Sequence, residues 1–152
     1  MVAKPINVRV GGVWEPVQNV TAMFYLTPDS GSYANGATIT LSLRENSLST
    51  AVNSLQANLT YDPAQLQFVS SDVSASPFTS SVQNTGGSGS VQIGLALLGS
   101  SVTGDQLVST LTFTAIGTGS TAITFAAGSG IAEASDSANV CNQLLSGTYT
   151  LA

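Results

Sequence analysis

A chain of 152 residues with no histidine, one cysteine and three basic side chains has lost several kinds of chemistry before any pattern is read. Histidine is the commonest general base and metal ligand, and without it neither a Ser-His-Asp nor a Cys-His site can be assembled. Cys141 has no second cysteine to pair with. That rules out an internal disulfide framework and leaves a small, partly buried side chain. Lys4, Arg9 and Arg44 form no cluster and the net charge is -5, so nucleic acid and acidic lipid surfaces, which need clustered cations, are excluded as partners. No run approaches the roughly 18 apolar residues of a membrane span. VAKPINVRV after Met1 has neither the apolar core nor the small-residue cleavage site of a secretory signal. The expectation is a product made in the cytosol, or a piece of a longer secreted protein.

Charge is scarce as well, at 7% of residues. The carboxylates Glu15, Asp29, Glu45, Asp62, Asp72, Asp105, Glu133 and Asp136 are scattered through turns and strand ends. No pair is spaced as a glycosidase acid and base, and no enzyme activity is expected. Asp62 reads as the cap of its own turn. Calcium at Asp62, or at Glu133 with Asp136, would need six or more oxygen ligands that no motif supplies, so neither metal nor cofactor is expected. Asn58-Leu59-Thr60 and Asn19-Val20-Thr21 match the glycosylation sequon, a pattern frequent by chance in a Thr-rich chain.

What is present is two-residue alternation, clearest over residues 53–69, NSLQANLTYDPAQLQFV. Leu55, Ala57, Leu59 and Tyr61 fall on one face and Ser54, Gln56, Asn58 and Thr60 on the other, the period of a half-buried strand. Asp62-Pro63 stops that strand because proline donates to no ladder, and Leu66 and Phe68 resume an extended run. Ile39, Leu41 and Leu43 alternate in the same way before a polar loop expected over residues 45–51. Val91, Ile93, Leu95 and Leu97 do so later, with Gly94 marking a bulge or the close approach of another backbone. Residues 106–116 give the longest strand, with Leu107, Leu111 and Phe113 on one face. Tyr149 and Leu151 share a face at the end, and residues 121–125 give a short strand with Ile123 and Phe125 inward. Residues 21–26 form a further run closed by turn residues Pro28 to Gly31. Residues 84–90, NTGGSGS, read as a flexible loop, and residues 126–145 as irregular. Helical periodicity extends to one turn near residues 63–66 and another near 139–144.

Gly11-Gly12 between the short runs of Ile6, Val8, Val10 and Val13, Trp14, Val17 signals a β-hairpin. The whole reads as all-β: a two-sheet antiparallel sandwich, jelly-roll-like, of about nine strands, plus a short N-terminal hairpin. Residues 1–20 would be a hairpin docking arm and residues 21–152 the sandwich, a length at which roughly 70% of the unfolded surface can be buried.

The series Gly36-x-x-Ile39-x-Leu41-x-Leu43, Leu55-x-Ala57-x-Leu59-x-Tyr61-Asp62-Pro63-x-x-Leu66-x-Phe68-Val69, Gly104-Asp105-x-Leu107-x-x-x-x-Phe113-x-Ala115 and Gly147-x-Tyr149 resembles the bacterial cohesin and related carbohydrate-binding sandwich group over about residues 22–152. The resemblance implies a non-catalytic nine-stranded sandwich. Cohesins hold a calcium-loaded dockerin on one sheet face, and other members bind polysaccharide or act as surface spacers. The run Val8-Arg9-Val10-Gly11-Gly12-Val13-Trp14 resembles hairpin segments of bacteriophage virion proteins.

Two functions follow. In the first, the chain is a virion surface protein, a capsid decoration or tail-associated subunit assembled in the host cytoplasm. Its hairpin would dock it through Arg9, Val13 and Trp14 onto other virion subunits or onto itself, Trp14 being the aromatic anchor. In the alternative, it is a cohesin-like module of a bacterial cell-surface protein that meets a dockerin-like partner or a glycan. The candidate protein-binding face is Gln56, Asn58, Thr60, Gln83 and Gln92. A row of exposed aromatics for stacking on sugars is not evident.

Overall fold

The computed structural model describes residues 6–10, 13–17 and 20–152, the first two segments as backbone only. In chain order the strands are β1 (Ile6–Val10), β2 (Val13–Val17), β3 (Met23–Thr27), β4 (Ser30–Tyr33), β5 (Thr38–Asn46), β6 (Val52–Tyr61), β7 (Leu66–Asp72), β8 (Ser80–Gly87), β9 (Ser90–Ala96), β10 (Asp105–Ala115), β11 (Gly119–Phe125), β12 (Gly130–Glu133), β13 (Gln143–Leu145) and β14 (Gly147–Leu151). β1 and β2 pair as the expected antiparallel hairpin, with Val10 opposite Val13. The other twelve strands make a sandwich. One sheet runs β13-β3-β5-β10-β7 and the other β4-β14-β11-β6-β9-β8, with β12 also on β6.

Alternation decides which side of each strand is buried. Ile39, Leu41 and Leu43 of β5, Leu55, Ala57 and Leu59 of β6, Val91, Ile93 and Leu95 of β9, and Tyr149 and Leu151 of β14 all enter one core. A large apolar side chain so buried stabilises the fold by roughly 1.5–3 kcal/mol relative to an exposed one. At the Asp-Pro corner, rings from both sheets meet edge to face: Tyr61 and Phe68 lie 5.1 and 5.7 Å from Phe113. The corner is a single turn, as expected. Gln65 N–H and Leu66 N–H donate to the Asp62 carbonyl, and the Asp62 carboxylate caps Ala64 N–H at 2.9 Å.

Several expectations are corrected. The sheets are not wholly antiparallel, since β13 runs parallel to β3 and β14 parallel to β4. Of the expected turn residues Pro28 to Gly31 only Pro28 and Asp29 bend the chain, which there leaves one sheet at Thr27 and enters the other at Ser30, so Ser30 and Gly31 belong to β4. Residues 84–90 are no flexible loop. They form the end of β8, a two-residue turn and the start of β9, with Ser88 and Gly89 at φ 55° and 92°, the left-handed values of a tight hairpin. The glycines there make room: a Cβ on Gly86 would sit 2.5 Å from the Phe68 ring. Residues 126–145, expected to be irregular, contain β12 and β13, and residues 139–144 form no helical turn. Their small residues gave no alternation to read, and pairing with β6 and β3 supplies what pattern did not. A register shift between Leu107 and Ser109 buries Val108 and leaves Leu107 only half-buried, so Leu107 does not share the fully buried row of Leu111 and Phe113. Glu45 does not open a loop. It continues the inner face of β5, fully buried, with no partner for either carboxylate oxygen among the described residues.

Candidate functional site

β6 is the central strand of the larger sheet, and its outward positions build the candidate face. Because Leu55, Ala57 and Leu59 point into the core, Gln56, Asn58 and Thr60 point out. The β6–β9 register sets Asn58 opposite Gln92 and Gln56 opposite Gly94, and the β8–β9 register sets Gln83 opposite Gly94. Three strands thus bring Gln56, Asn58, Gln83 and Gln92 into one row. Gln56 Nε2 donates to Asn58 Oδ1 at 2.8 Å and to Gln83 Oε1 at 3.1 Å, and Gln83 Nε2 donates to Gln92 Oε1 at 2.9 Å. Thr60 stands beside the row, its hydroxyl 2.7 Å from that of Thr124 on β11. Gly94 marks a close approach, but by a side chain rather than a backbone: a Cβ there would lie 2.6 Å from Gln56 Oε1.

What flanks the row is set by pairing along the other edge of β6. β11 and β12 lie end to end along one edge of β6, β11 against Leu59 to Tyr61 and β12 against Val52 to Gln56. Between them residues 126–129 bulge outward as a flap. The Ser129 hydroxyl accepts from Asn58 N–H at 3.0 Å and donates to the Ala126 carbonyl at 2.9 Å, which satisfies backbone groups that the interrupted ladder would leave open. Asn58 Nδ2 donates to the Ala127 carbonyl at 3.2 Å. Beside the flap a groove of about 480 Å³ is lined by Ser54, Gln56, Ser129, Ile131 and Asn139 among others. The only local signal for the flap is Gly128-Ser129-Gly130 between two short apolar runs.

No charged residue occurs in β6, β8, β9 or β11. The outer side of the smaller sheet differs. There Asp105 Oδ1 accepts from Tyr25 Oη at 2.6 Å and from Arg44 Nε at 3.1 Å. Burial, and then that hydrogen bond, raise the Tyr25 phenol above its ordinary value. On the inner side of the same sheet, burial and the nearby Asp105 charge push the Glu45 carboxyl from 4.5 up to about 8. Among the described residues no three Asp, Glu or Cys side chains gather into a group that could hold a metal ion. The side chains of Arg9, Val13 and Trp14 lie outside the described residues.

The comparisons agree with this architecture. No curated protein matches the chain. Among solved structures, the CaCohA2 cohesin of Clostridium acetobutylicum superposes with a TM-score of 0.71 at 17% identity, covering 88% of this chain and 92% of that one. A type I cohesin of Clostridium thermocellum, solved in complex with a dockerin, gives 0.68 at 13% identity over 86% of this chain and 91% of its own. A non-cellulosomal cohesin of the archaeon Archaeoglobus fulgidus gives 0.65 at 18%, covering 87% and 90%. At these identities they show the sandwich fold, and they lend nothing to a virion role. Since the family model for the cohesin domain matches residues 25–150, most of the sequence and nearly all of the sandwich, the chain belongs to the cohesin domain family.

Proposed function

We propose that this chain is a non-catalytic docking module that holds a dockerin-like protein on the open face of β8-β9-β6-β11, as part of an extracellular or cell-surface assembly. The observation that carries the reading is the row of hydrogen-bonded amides across β6, β8 and β9 on a cohesin sandwich. Such a face offers donors and acceptors without charge, so recognition rests on hydrogen bonds and shape. Affinity should then change little with ionic strength, because there are no face charges for salt to screen. A glycan is the weaker occupant. The outward positions of these strands are Ser, Thr, Asn, Gln, Gly and Ala, joined by the exposed Val82 at the β8 register shift, with no aromatic ring to stack on a sugar.

Calorimetric titration of the full chain with a panel of calcium-loaded dockerin modules tests this. Saturable one-to-one binding that is lost on calcium chelation and in Gln56→Ala, yet persists at high salt, is the expected result. Binding that survives Gln56→Ala, Gln83→Ala and Gln92→Ala together would move the interface elsewhere. Residues 1–20 are read as a separate arm ahead of the sandwich, consistent with a family match that begins at residue 25. Light scattering of the chain with and without them tests the arm, since loss of self-association on truncation would give it an assembly role.

A further inference from the structure

The amide row has a direction, and that direction is fixed at one end. A side-chain amide can in general be turned over, exchanging donor for acceptor, with little change of shape. Here Asn58 faces the Ala127 carbonyl, which can only accept, so Asn58 must present its Nδ2 to the flap and its Oδ1 to Gln56. Gln56 must then donate, to Asn58 Oδ1 and to Gln83 Oε1, and Gln83 must donate onward to Gln92 Oε1. Two atoms are left without a partner among the described residues, the acceptor Gln56 Oε1 and the donor Gln92 Nε2. Glycines make room at both critical points: a Cβ on Gly128, at φ 91°, would lie 2.8 Å from Asn58 Nδ2, and one on Gly94 would lie 2.6 Å from Gln56 Oε1.

We infer that the flap between β11 and β12 is the positioning element of the docking face. The Ala127 carbonyl, in a turn that the Ser129 hydroxyl ties to the Ala126 carbonyl and the Asn58 backbone, orients every amide in the row. The face therefore selects an uncharged partner surface with an acceptor opposite Gln92 and a donor opposite Gln56. This rests on the docking proposal for its partner, but the orientation itself is a property of the free protein. Ordering a long glutamine side chain costs rotamer entropy. A row already ordered before docking removes that cost from the association step.

The test has two arms. In the free protein, nitrogen-15 relaxation of the side-chain NH2 groups should show Gln83 and Gln92 ordered, with heteronuclear NOE values close to those of the strand backbone. Asn58→Ala should loosen both, although the Gln92 amide is hydrogen-bonded to Gln83 and not to its cross-strand neighbour Asn58. Gly128→Ala, which crowds the Asn58 amide without removing it, should do the same, and Thr40→Ala on the other sheet should not. Unchanged Gln92 signals in correctly folded Asn58→Ala and Gly128→Ala would overturn the inference, whatever the docking result. In the second arm, titration with a calcium-loaded dockerin module that binds the wild type should show tenfold or greater weakening by Asn58→Ala and by Gly128→Ala. If Gln92→Ala weakens binding while those two variants do not, docking stands and the positioning role falls. If no dockerin module binds, the docking proposal fails and the NMR arm alone decides the orientation.

Discussion

The two outer faces of this sandwich solve different problems with the same backbone. On the smaller sheet β5 and β10 pair Thr40 with Thr112, Thr38 with Thr114 and Ser42 with Thr110. These short branched or hydroxyl side chains suit a solvated strand, and threonine is among the better strand formers. One cluster, Tyr25-Asp105-Arg44, adds the charge that β6, β8, β9 and β11 lack. On the larger sheet β6, β8 and β9 carry long amides that gain nothing from strand propensity and are costly to order. A face that stabilises the fold is built from threonine. A face organised in spite of that cost is better explained by a partner.

The inner faces sharpen the contrast, because the same buried layer should answer two substitutions in opposite senses. Leu59→Asp on β6 places an unpaired carboxylate in a fully buried position and should cost on the order of 4 kcal/mol or more, enough to abolish cooperative unfolding of a marginal domain. A melting curve like that of the wild type would mean that the β6 register is wrong.

Glu45 on β5 already carries such a carboxyl, held neutral at a pKa of about 8 against 4.5. Below the lower value both states are protonated and nothing is lost. As pH rises above it, the unfolded chain ionises while the folded one stays neutral, so stability should fall by up to about 1.4 kcal/mol per pH unit until the upper value is reached. Denaturant titrations across that window should show the decline in the wild type and a flatter profile in Glu45→Gln. Glu45→Leu should raise neutral-pH stability, and parallel profiles for all three would remove Glu45 as the cause.

Smaller effects test the seam and the charged cluster. Gly86→Ala drives a methyl against the Phe68 ring where β8 passes β7, and should cost about 1–3 kcal/mol by overpacking. An unchanged melting temperature would show that the ring can swing away. Tyr25→Phe removes an exposed hydrogen bond to Asp105 and should shift stability by less than about 1 kcal/mol, with the shift shrinking as salt is added. A larger loss would mean that the charged cluster organises its sheet, erasing the distinction drawn between the two faces.

Much of the candidate face could be read in advance because alternation is a local property. Once Leu55, Ala57 and Leu59 are committed to the core, Gln56, Asn58 and Thr60 have nowhere to point but outward, and the same holds for Gln92 between Val91 and Ile93. Glu45 reads as a loop residue because a carboxylate ordinarily marks solvent, and only packing from the facing sheet makes it buried and neutral. Residues 84–90 looked too glycine-rich for a strand. Their glycines instead allow a tight turn at Gly89 and the approach of the Phe68 ring at Gly86.

The all-β class, the strands that alternate, the Asp-Pro corner and the absence of histidine-based chemistry are legible in the chain alone, since each depends on residue type or on spacing along a few consecutive positions. Tertiary structure alone decided how residues from distant parts of the chain meet. Residues 28–30 carry one segment from sheet to sheet, β12 and β13 exist through their pairing partners, and Gln56, Gln83 and Gln92 become neighbours. Hydrogen bonds between strands do not depend on side-chain identity, so register and neighbour are fixed only when the whole sandwich closes around its core.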